Sequence, residues 1–205
     1  MISSYTRAAI QTDPLLLRTM HEDRKRVFID TLRWQLPHDG AQEQDQFDAD
    51  GAIYLAAKDN SGTHRVSVRL LDTERPHIVG SLFPFLCQAP LPRGPQVREI
   101  TRYIASPRAR SSERLIARNM MARALTEYAH LHHITTYTAV CDMSFLSQIL
   151  AAGWRCDPLG LPQPVDGSVI GAFCIHIEAD TTECMARSWR YQKPALATSE
   201  IRVAA

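Results

Sequence analysis

Two patterns of apolar residues in the first half of the chain predict a helix and a β-hairpin. In residues 14–34 the apolar positions recur with helical spacing behind Pro14, which predicts an amphipathic helix. Residues 52–57 and 65–71 are short apolar runs on either side of the turn residues 59–62. Such a pair predicts two antiparallel strands joined by a tight turn.

The second half predicts a strand, a long helix and several shorter elements. Residues 97–105 are rich in β-branched and aromatic residues and are followed by Pro107, so they predict a strand. A helix is expected from Ser111 or Ser112 to about His130. Its predicted buried stripe is Leu115, Ile116, Met120, Met121, Ala124, Leu125 and Tyr128. Shorter elements are predicted at 79–87 (helix), 134–140 (strand), 144–152 (helix), 154–156 (extended), 169–177 (strand) and 185–189 (a helical turn).

These elements and the length of the chain predict one α/β domain. The 205 residues suffice for one sizeable core, and no long polar linker divides them. The prediction is a single domain over 1–205, with a helix-and-loop cap over about 1–50 and a loosely ordered tail over about 193–205.

Charge and cysteine content exclude several classes of protein. The formal net charge is +1, so no global charge indicates nucleic acid or a membrane surface as a partner. The five cysteines form no C-x-x-C pair, which disfavours a disulfide framework and a zinc knuckle. The N-terminal residues lack an apolar stretch of signal-peptide length. A reducing, cytoplasmic location is expected.

The predicted strand 97–105 carries charges that a buried strand does not ordinarily contain. Glu99 and Arg102 are three positions apart, so a regular strand would direct them to opposite faces. If both serve one site, the strand must contain a bulge or a twist. The alternative is a buried ion pair or a charge at the edge of a sheet.

The segment before the hairpin offers further charged and aromatic groups. Arg24 and Phe28 are four residues apart and share one helix face, and Trp34 follows at the helix end. Asp45 and Asp48 lie in a loop over 37–51, whose length is typical of functional loops. Several carboxylates in one loop are most often simply solvated, and the spacing of an EF-hand is absent.

A row of arginines begins the long helix. Arg110, Arg114 and Arg118 recur every four residues near a helix N-terminus, which favours binding of a phosphate. A solvated basic face is the alternative. The three histidines at 130, 132 and 133 have no carboxylate at ligand spacing, so no metal site is predicted. Motifs of the P-loop, dinucleotide-binding and G-x-S-x-G classes are absent.

Taken as a set, the motifs resemble those of LuxI-type acyl-homoserine-lactone synthases, the autoinducer synthase family. The matching pieces are Arg24-x-x-x-Phe28, Trp34, Glu43-x-Asp45-Gln46-Phe47-Asp48, Arg69-Leu70-Leu71 and Glu99-x-x-Arg102. Order and spacing agree from about residue 20 to 105, and the order of elements agrees to about 177. Arg33 and Thr101 depart from the family pattern, where glycine and serine are frequent.

The resemblance implies a fold and a reaction. The fold would be similar to that of the GNAT acyltransferases, a twisted mixed β-sheet flanked by helices, with a V-shaped cleft for the acyl donor. The family joins S-adenosyl-L-methionine to an acyl group carried by acyl carrier protein or coenzyme A, and methylthioadenosine is released. These are substrates, and no permanently bound cofactor, nucleic acid or membrane is implied.

The resemblance also implies roles for individual residues. Glu99, Arg102 and Asp45 would be catalytic, with Glu99 as the base and its pKa raised by an apolar strand. The S-adenosylmethionine side would comprise Arg24, Phe28, Trp34, Asp48 and Arg69. The acyl-donor side would comprise Arg108, Arg110, Arg114, Arg118 and Thr138, the last at the position associated with 3-oxoacyl chains.

Two other functions are compatible with the same elements. The first is an ordinary GNAT-type N-acyltransferase that uses acyl-CoA and another amine, although the acidic loop and Trp34 argue against it. The second is a non-catalytic module that binds a carrier protein.

Overall fold

The computed structural model describes residues 1–188 and 195–197. The strands are β1 (Ser3–Thr6), β2 (Ile53–Lys58), β3 (His64–Asp72), β4 (Val97–Ala105), β5 (Thr136–Asp142), β6 (Arg155–Pro158), β7 (Gln163–Val165) and β8 (Ser168–His176). The helices are α1 (Arg7–Gln11), α2 (Pro14–Arg24), α3 (Ile78–Leu82), α4 (Ser111–Leu131), α5 (Met143–Leu150) and α6 (Thr181–Arg187). A π-helical segment (Lys25–Thr31) continues α2, and a 3₁₀ turn (Pro84–Leu86) follows α3.

The described residues divide into two compact units. The first contains 1–70, 102–121 and 195–197, and the second contains 71–101 and 122–188. The chain passes from one unit to the other within β3, β4 and α4. A single domain over 1–205 stays a prediction.

In the first unit, β1, β2 and β3 pair antiparallel in that order. The hairpin of β2 and β3 confirms the predicted one. Just beyond β4, the Ser106 N–H donates to the Arg65 carbonyl at 2.8 Å. Of the predicted loose tail, residues 195–197 are ordered, because the Ile2 N–H donates to Ala195 and Leu196 forms a bridge with Ile2. The rest of the tail lies outside the described residues.

The predicted helix 14–34 is an α-helix for only half its length. The Asp13 side chain caps α2 by accepting the Leu16 N–H at 3.2 Å, and Pro14 occupies the first turn. After Arg24 the backbone widens into the π-helical segment. The spacing of apolar residues does not distinguish an α-helix from a π-helix. Turns of π-helix are frequent at functional sites.

In the second unit the sheet is mixed. β5 runs parallel to β4 and antiparallel to β8, and β6 and β7 also pair antiparallel with β8. Val79 and Leu86 pack with Ile170 and Ala172 of β8 in a buried cluster. With helices on the sheet, this confirms the predicted fold class of a mixed α/β protein.

The buried stripe predicted for α4 is wrong at its start. Leu115 and Ile116 are about half exposed, whereas Ala117 and Met121 are buried. At 100° per residue, Leu115 and Ile116 lie 200° and 100° from Ala117 around the helix. The small Ala117, which apolar size alone does not single out, therefore marks the buried face.

Three short elements were not predicted: β1, α1 and β7. Each is five residues or fewer, too short to show a period. Among the described residues, no helix is long and apolar enough to cross a membrane.

Candidate active site

Six buried charged side chains of the first unit form one hydrogen-bonded cluster. Its members, which we call the charged cluster, are Arg24, Arg69, Arg102, Glu43, Asp45 and Asp48. They come from α2, the loop before β2, β3 and β4. Three guanidinium groups face three carboxylates, so each buried charge has opposite charges as partners.

Arg24 holds two of the carboxylates. Its Nη1 and Nη2 donate to Asp48 at 2.8 Å each, and its Nε donates to Glu43 at 2.5 Å. Burial opposes ionisation of Asp48, but its hydrogen bonds with Arg24 and the charge of that arginine hold its pKa well below the ordinary value. The Tyr54 hydroxyl also donates to Asp48, at 2.8 Å. Asp48 is therefore a fixed anion.

Arg69 and Arg102 share Asp45. Arg69 binds the Asp45 carboxylate with both terminal nitrogens, at 2.6 and 3.0 Å, and its Nη1 lies 2.8 Å from Asp48. Arg102 donates to Asp45 at 2.7 Å and to Glu43 at 2.8 Å. Burial alone would raise the pKa of Asp45, but its hydrogen bonds with Arg69 lower it below the ordinary value.

Arg102 interrupts β4. Its φ is 53°, in the left-handed region that L-residues rarely adopt, and the alternation of buried and half-buried residues along the strand ends there. The irregularity expected in this strand is therefore present at Arg102.

Aromatic rings lie beside the cluster. Phe28 and Trp34 stack with their centroids 5.2 Å apart, and the Arg102 guanidinium lies 5.4 Å from the Phe28 centroid. The main-chain N–H of Trp34 donates to the main-chain carbonyl of Phe28 at 2.9 Å, which ties the chain after the π-helical segment back to it. A continuous α-helix would place residues 28 and 34 about 120° apart around its axis, whereas here the two predicted aromatic rings stack.

Glu99 lies in the second unit and is fully buried. Its two carboxylate oxygens accept the N–H groups of Ile78 and Val79, at 2.7 and 2.8 Å, where α3 begins. This environment differs from the apolar one expected for Glu99, because both carboxylate oxygens meet main-chain donors. Thr138 is the β5 residue paired with Glu99, and its Oγ1 is buried with no hydrogen-bond partner in the described part of the chain.

The arginines expected on the acyl-donor side have different surroundings. The Arg108 guanidinium donates to the buried Asp23 at 2.8 Å. The Arg114 side chain donates to the Ala109 carbonyl at 2.6 Å. Arg110 is exposed, and its main chain donates to the Glu113 carboxylate and accepts the Arg114 N–H. The main-chain carbonyl of Arg118 accepts a hydrogen bond from the Tyr103 hydroxyl at 2.8 Å.

Sequence reasoning gave no role to Glu43, although it stands in the matched motif. Glu43 is fully buried and bonds both Arg24 and Arg102. Its neighbours in the loop resemble solvated residues, so the motif is the only signal for it. Within 1–188 and 195–197, no group of three or more His, Cys, Asp or Glu side chains is arranged to hold a metal ion.

Comparison with solved structures first shows which fold the chain shares. An acyl-CoA N-acyltransferase from Pseudomonas aeruginosa has the same fold, with a TM-score of 0.58 and 18% identity over 85% of this chain and 97% of its own. The structure of BjaI, a CoA-dependent acyl-homoserine lactone synthase, with S-adenosylmethionine and isopentyl-CoA is more similar. Its TM-score is 0.85, with 22% identity over 96% of this chain and 92% of its own.

The sequence then defines the family. The autoinducer synthase model matches residues 11–185. An acyl-homoserine-lactone synthase of Ralstonia solanacearum is 31% identical over 164 residues, which cover 77% of this chain and 80% of the relative. The chain belongs to the autoinducer synthase family. It is an acyltransferase that makes an N-acyl-homoserine lactone, a quorum-sensing signal, from S-adenosylmethionine and an acyl donor.

Proposed function

We propose that the charged cluster binds S-adenosylmethionine and that Glu99 accepts a proton from its α-ammonium group. The cluster itself carries this proposal, because three arginines and three carboxylates that the family motif includes are buried and mutually bonded. A protein has little reason to bury six charges for stability alone, since apolar replacements are often as stable.

Exposure divides the cluster into an inner and an outer part. The side chains of Arg24, Arg69 and Glu43 are at most 1% exposed, whereas Arg102 is 9% and Asp45 is 5% exposed. We assign the outer pair to the substrate: Arg102 binds the methionyl carboxylate and Asp45 attracts the positive groups. The inner residues, Asp48 among them, hold the outer pair in place.

The aromatic pair provides a wall for the sulfonium. A cation over an aromatic face gains about 0.5–2 kcal/mol, more when water is excluded. Trp34 is partly exposed and stacks on the buried Phe28. Trp34 therefore presents the ring and Phe28 fixes its orientation.

The first reaction is acyl transfer to nitrogen. An ammonium has no lone pair, so one proton passes to Glu99, directly or through water, before the amine attacks the thioester carbonyl. The remaining excess proton leaves the nitrogen as the tetrahedral intermediate collapses, and the departing thiolate takes a proton. Backbone N–H groups over 102–105, where Arg102 breaks the strand, stabilise the negative oxygen in this proposal.

The second reaction closes the lactone. A methionyl carboxylate oxygen attacks the γ-carbon, the C–S bond breaks, and its electron pair goes to sulfur, which leaves as neutral methylthioadenosine. The step is intramolecular, so holding the methionyl chain in a bent conformation supplies most of the acceleration. Arg102 bound to the carboxylate would set that bend.

The acyl donor is an anionic thioester, either acyl-CoA or acyl carrier protein. BjaI is described with isopentyl-CoA and as CoA-dependent, which favours coenzyme A for this chain. We assign the phosphate groups to the start of α4, with Arg110 and Arg118 as ligands, while Arg108 and Arg114 shape the turn before the helix. Reaction in the cytoplasm, where both substrates are made, is part of the proposal.

Thr138 is assigned to the acyl chain. Its buried hydroxyl lacks a partner among the described residues, and a 3-oxo group would supply an acceptor. This assignment agrees with the role that the family resemblance implies for the position.

The direct test uses purified protein with S-adenosylmethionine and a panel of acyl-CoA and acyl-carrier-protein donors. Release of methylthioadenosine and an N-acyl-homoserine lactone is expected with at least one donor. If no donor yields methylthioadenosine, the synthase function is wrong for this chain, and transfer to another amine becomes the explanation.

A further inference from the structure

His21 contacts the loop that supplies the acidic half of the charged cluster. It lies on α2, three residues before Arg24, and is fully buried. Its carbonyl accepts the Glu43 N–H at 3.2 Å, and its ring Nδ1 lies 2.7 Å from Nε2 of Gln44. One histidine thus binds two consecutive loop residues directly before Asp45.

The ring of His21 acts as an acceptor in this contact. The Gln44 amide nitrogen faces Nδ1, and in this arrangement the ring accepts the hydrogen bond with its own proton on Nε2, which is buried with no hydrogen-bond partner among the described residues. Burial, followed by the charge of Arg24, lowers the pKa of His21 from 6.5 to about 4. The ring is therefore neutral at physiological pH and can keep this acceptor role.

The contact between His21 and the loop holds main-chain positions that the ion pairs of the charged cluster do not hold. The carboxylates of Glu43 and Asp45 are held at their tips by Arg24, Arg69 and Arg102. The Asp45 main chain is also bonded to Asp48, whose Oδ2 accepts the Asp45 N–H at 3.1 Å. The main chain at Glu43 and Gln44 needs an anchor of its own, because the arginines are long and can follow a displaced loop. The His21 carbonyl and ring supply that anchor at Glu43 and Gln44.

We propose that His21 is a positioning residue for S-adenosylmethionine: it fixes the Glu43–Asp45 main chain so that Asp45 presents its carboxylate to the substrate. This inference rests on the proposed role of the charged cluster. It adds a residue from outside the matched motif and gives the Gln44 side chain a function.

Two substitutions separate positioning from packing. In His21→Asn the amide oxygen lies the same number of bonds from Cα as Nδ1, so it can accept from Gln44. In His21→Gln the amide lies at the distance of Nε2 and misses Gln44. Losing one neutral hydrogen bond that positions the substrate site should weaken S-adenosylmethionine binding about 3- to 10-fold.

Steady-state kinetics give the readout. We expect His21→Gln to raise the KM for S-adenosylmethionine about 3- to 10-fold, with kcat and the donor KM within about twofold of the parent. His21→Asn should restore the parent KM to within about twofold. Arg18→Gln, on the exposed side of α2, is the matched control and should change none of these. Equal KM values for the Asn and Gln variants would overturn the proposal.

A double-mutant cycle guards against loss of folding. Gln44→Met removes the amide at similar length, so combining it with His21→Gln should add little to the KM increase of either variant. Full additivity would also overturn the proposal. Asp45→Asn keeps the two hypotheses apart: if it leaves the S-adenosylmethionine KM unchanged, the cluster's proposed function is wrong. If Asp45→Asn raises the KM for S-adenosylmethionine and the His21 variants do not, the positioning role of His21 is wrong and the role of the cluster stands.

Discussion

Arg102 and Glu43 are 59 positions apart in the chain, and the guanidinium of one binds the carboxylate of the other. Nη2 donates at 2.8 Å and Nε lies 3.2 Å from each carboxylate oxygen. Arg102 adopts a left-handed backbone that costs about 1–2 kcal/mol for an L-residue. The bonds to Glu43 and Asp45 offset that cost, so the break in β4 depends on the acidic loop.

Asp45→Asn should weaken binding of S-adenosylmethionine. It removes the negative charge that Arg69 and Arg102 share. Hydrogen bonds to charged groups contribute about 1.5–3 kcal/mol, so the KM should rise roughly 10- to 100-fold. Asp39→Asn is the control, because Asp39 is exposed in the same loop and accepts only local main-chain bonds. A change confined to kcat would assign Asp45 to chemistry instead.

Glu99→Gln should abolish most turnover while the KM for S-adenosylmethionine changes little. Positioned proton transfer contributes roughly 10²–10⁴-fold, and an amide cannot accept the proton. One oxygen remains to accept an α3 N–H group, so melting temperature is measured alongside. Asp142→Asn makes the same chemical change at a carboxylate that caps α5, and it should leave kcat unchanged. Parent-like kcat in Glu99→Gln would contradict its role as base.

The two arginines of the turn before α4 should behave differently. Arg108 is bonded to buried Asp23, so Arg108→Gln should lower the melting temperature and leave the donor KM within about twofold. Arg110 is exposed, so Arg110→Gln should raise the donor KM about two- to fivefold without a change in melting temperature. The opposite pattern would assign Arg108 to the donor phosphates.

Folding stability should fall in acid through His21. Its folded pKa of about 4 lies below the ordinary 6.5, so between these values the unfolded chain binds a proton that the folded chain does not. The free energy of unfolding should therefore drop by about 3 kcal/mol as the pH falls from 6.5 to 4. Urea unfolding at several pH values measures the slope. In His21→Asn the free energy of unfolding should depend less steeply on pH in this window. An unchanged slope would refute the assignment of this pH dependence to His21.

Thr138→Val should alter acyl preference without loss of stability. The substitution removes a buried hydroxyl that has no partner in the described residues, so stability should rise by up to about 1 kcal/mol. The share of 3-oxo lactones among the products, measured by mass spectrometry, should fall. A lower melting temperature would indicate that the hydroxyl is bonded in the folded protein.

The sequence was sufficient for most of the fold and for the residues of the motif. Hydrophobic period and turn residues predicted the β2–β3 hairpin, β4 and α4, because each is long enough to show its pattern. The π-helical segment and the stacking of Phe28 on Trp34 could not be predicted, because the spacing of apolar residues does not distinguish an α-helix from a π-helix. Glu43 and His21 were missed for another reason: their partners lie far away or in a loop, and no local pattern records them.

The equal number of cations and anions in the charged cluster has a consequence for how substrate arrives. Arg24, Arg69 and Arg102 offset Glu43, Asp45 and Asp48, so the cluster exerts little net field on a distant ion. Electrostatic steering needs an unbalanced patch of charge, and it weakens as ionic strength rises. Capture of S-adenosylmethionine by this cluster should therefore be nearly insensitive to added salt, with selectivity exercised only at contact.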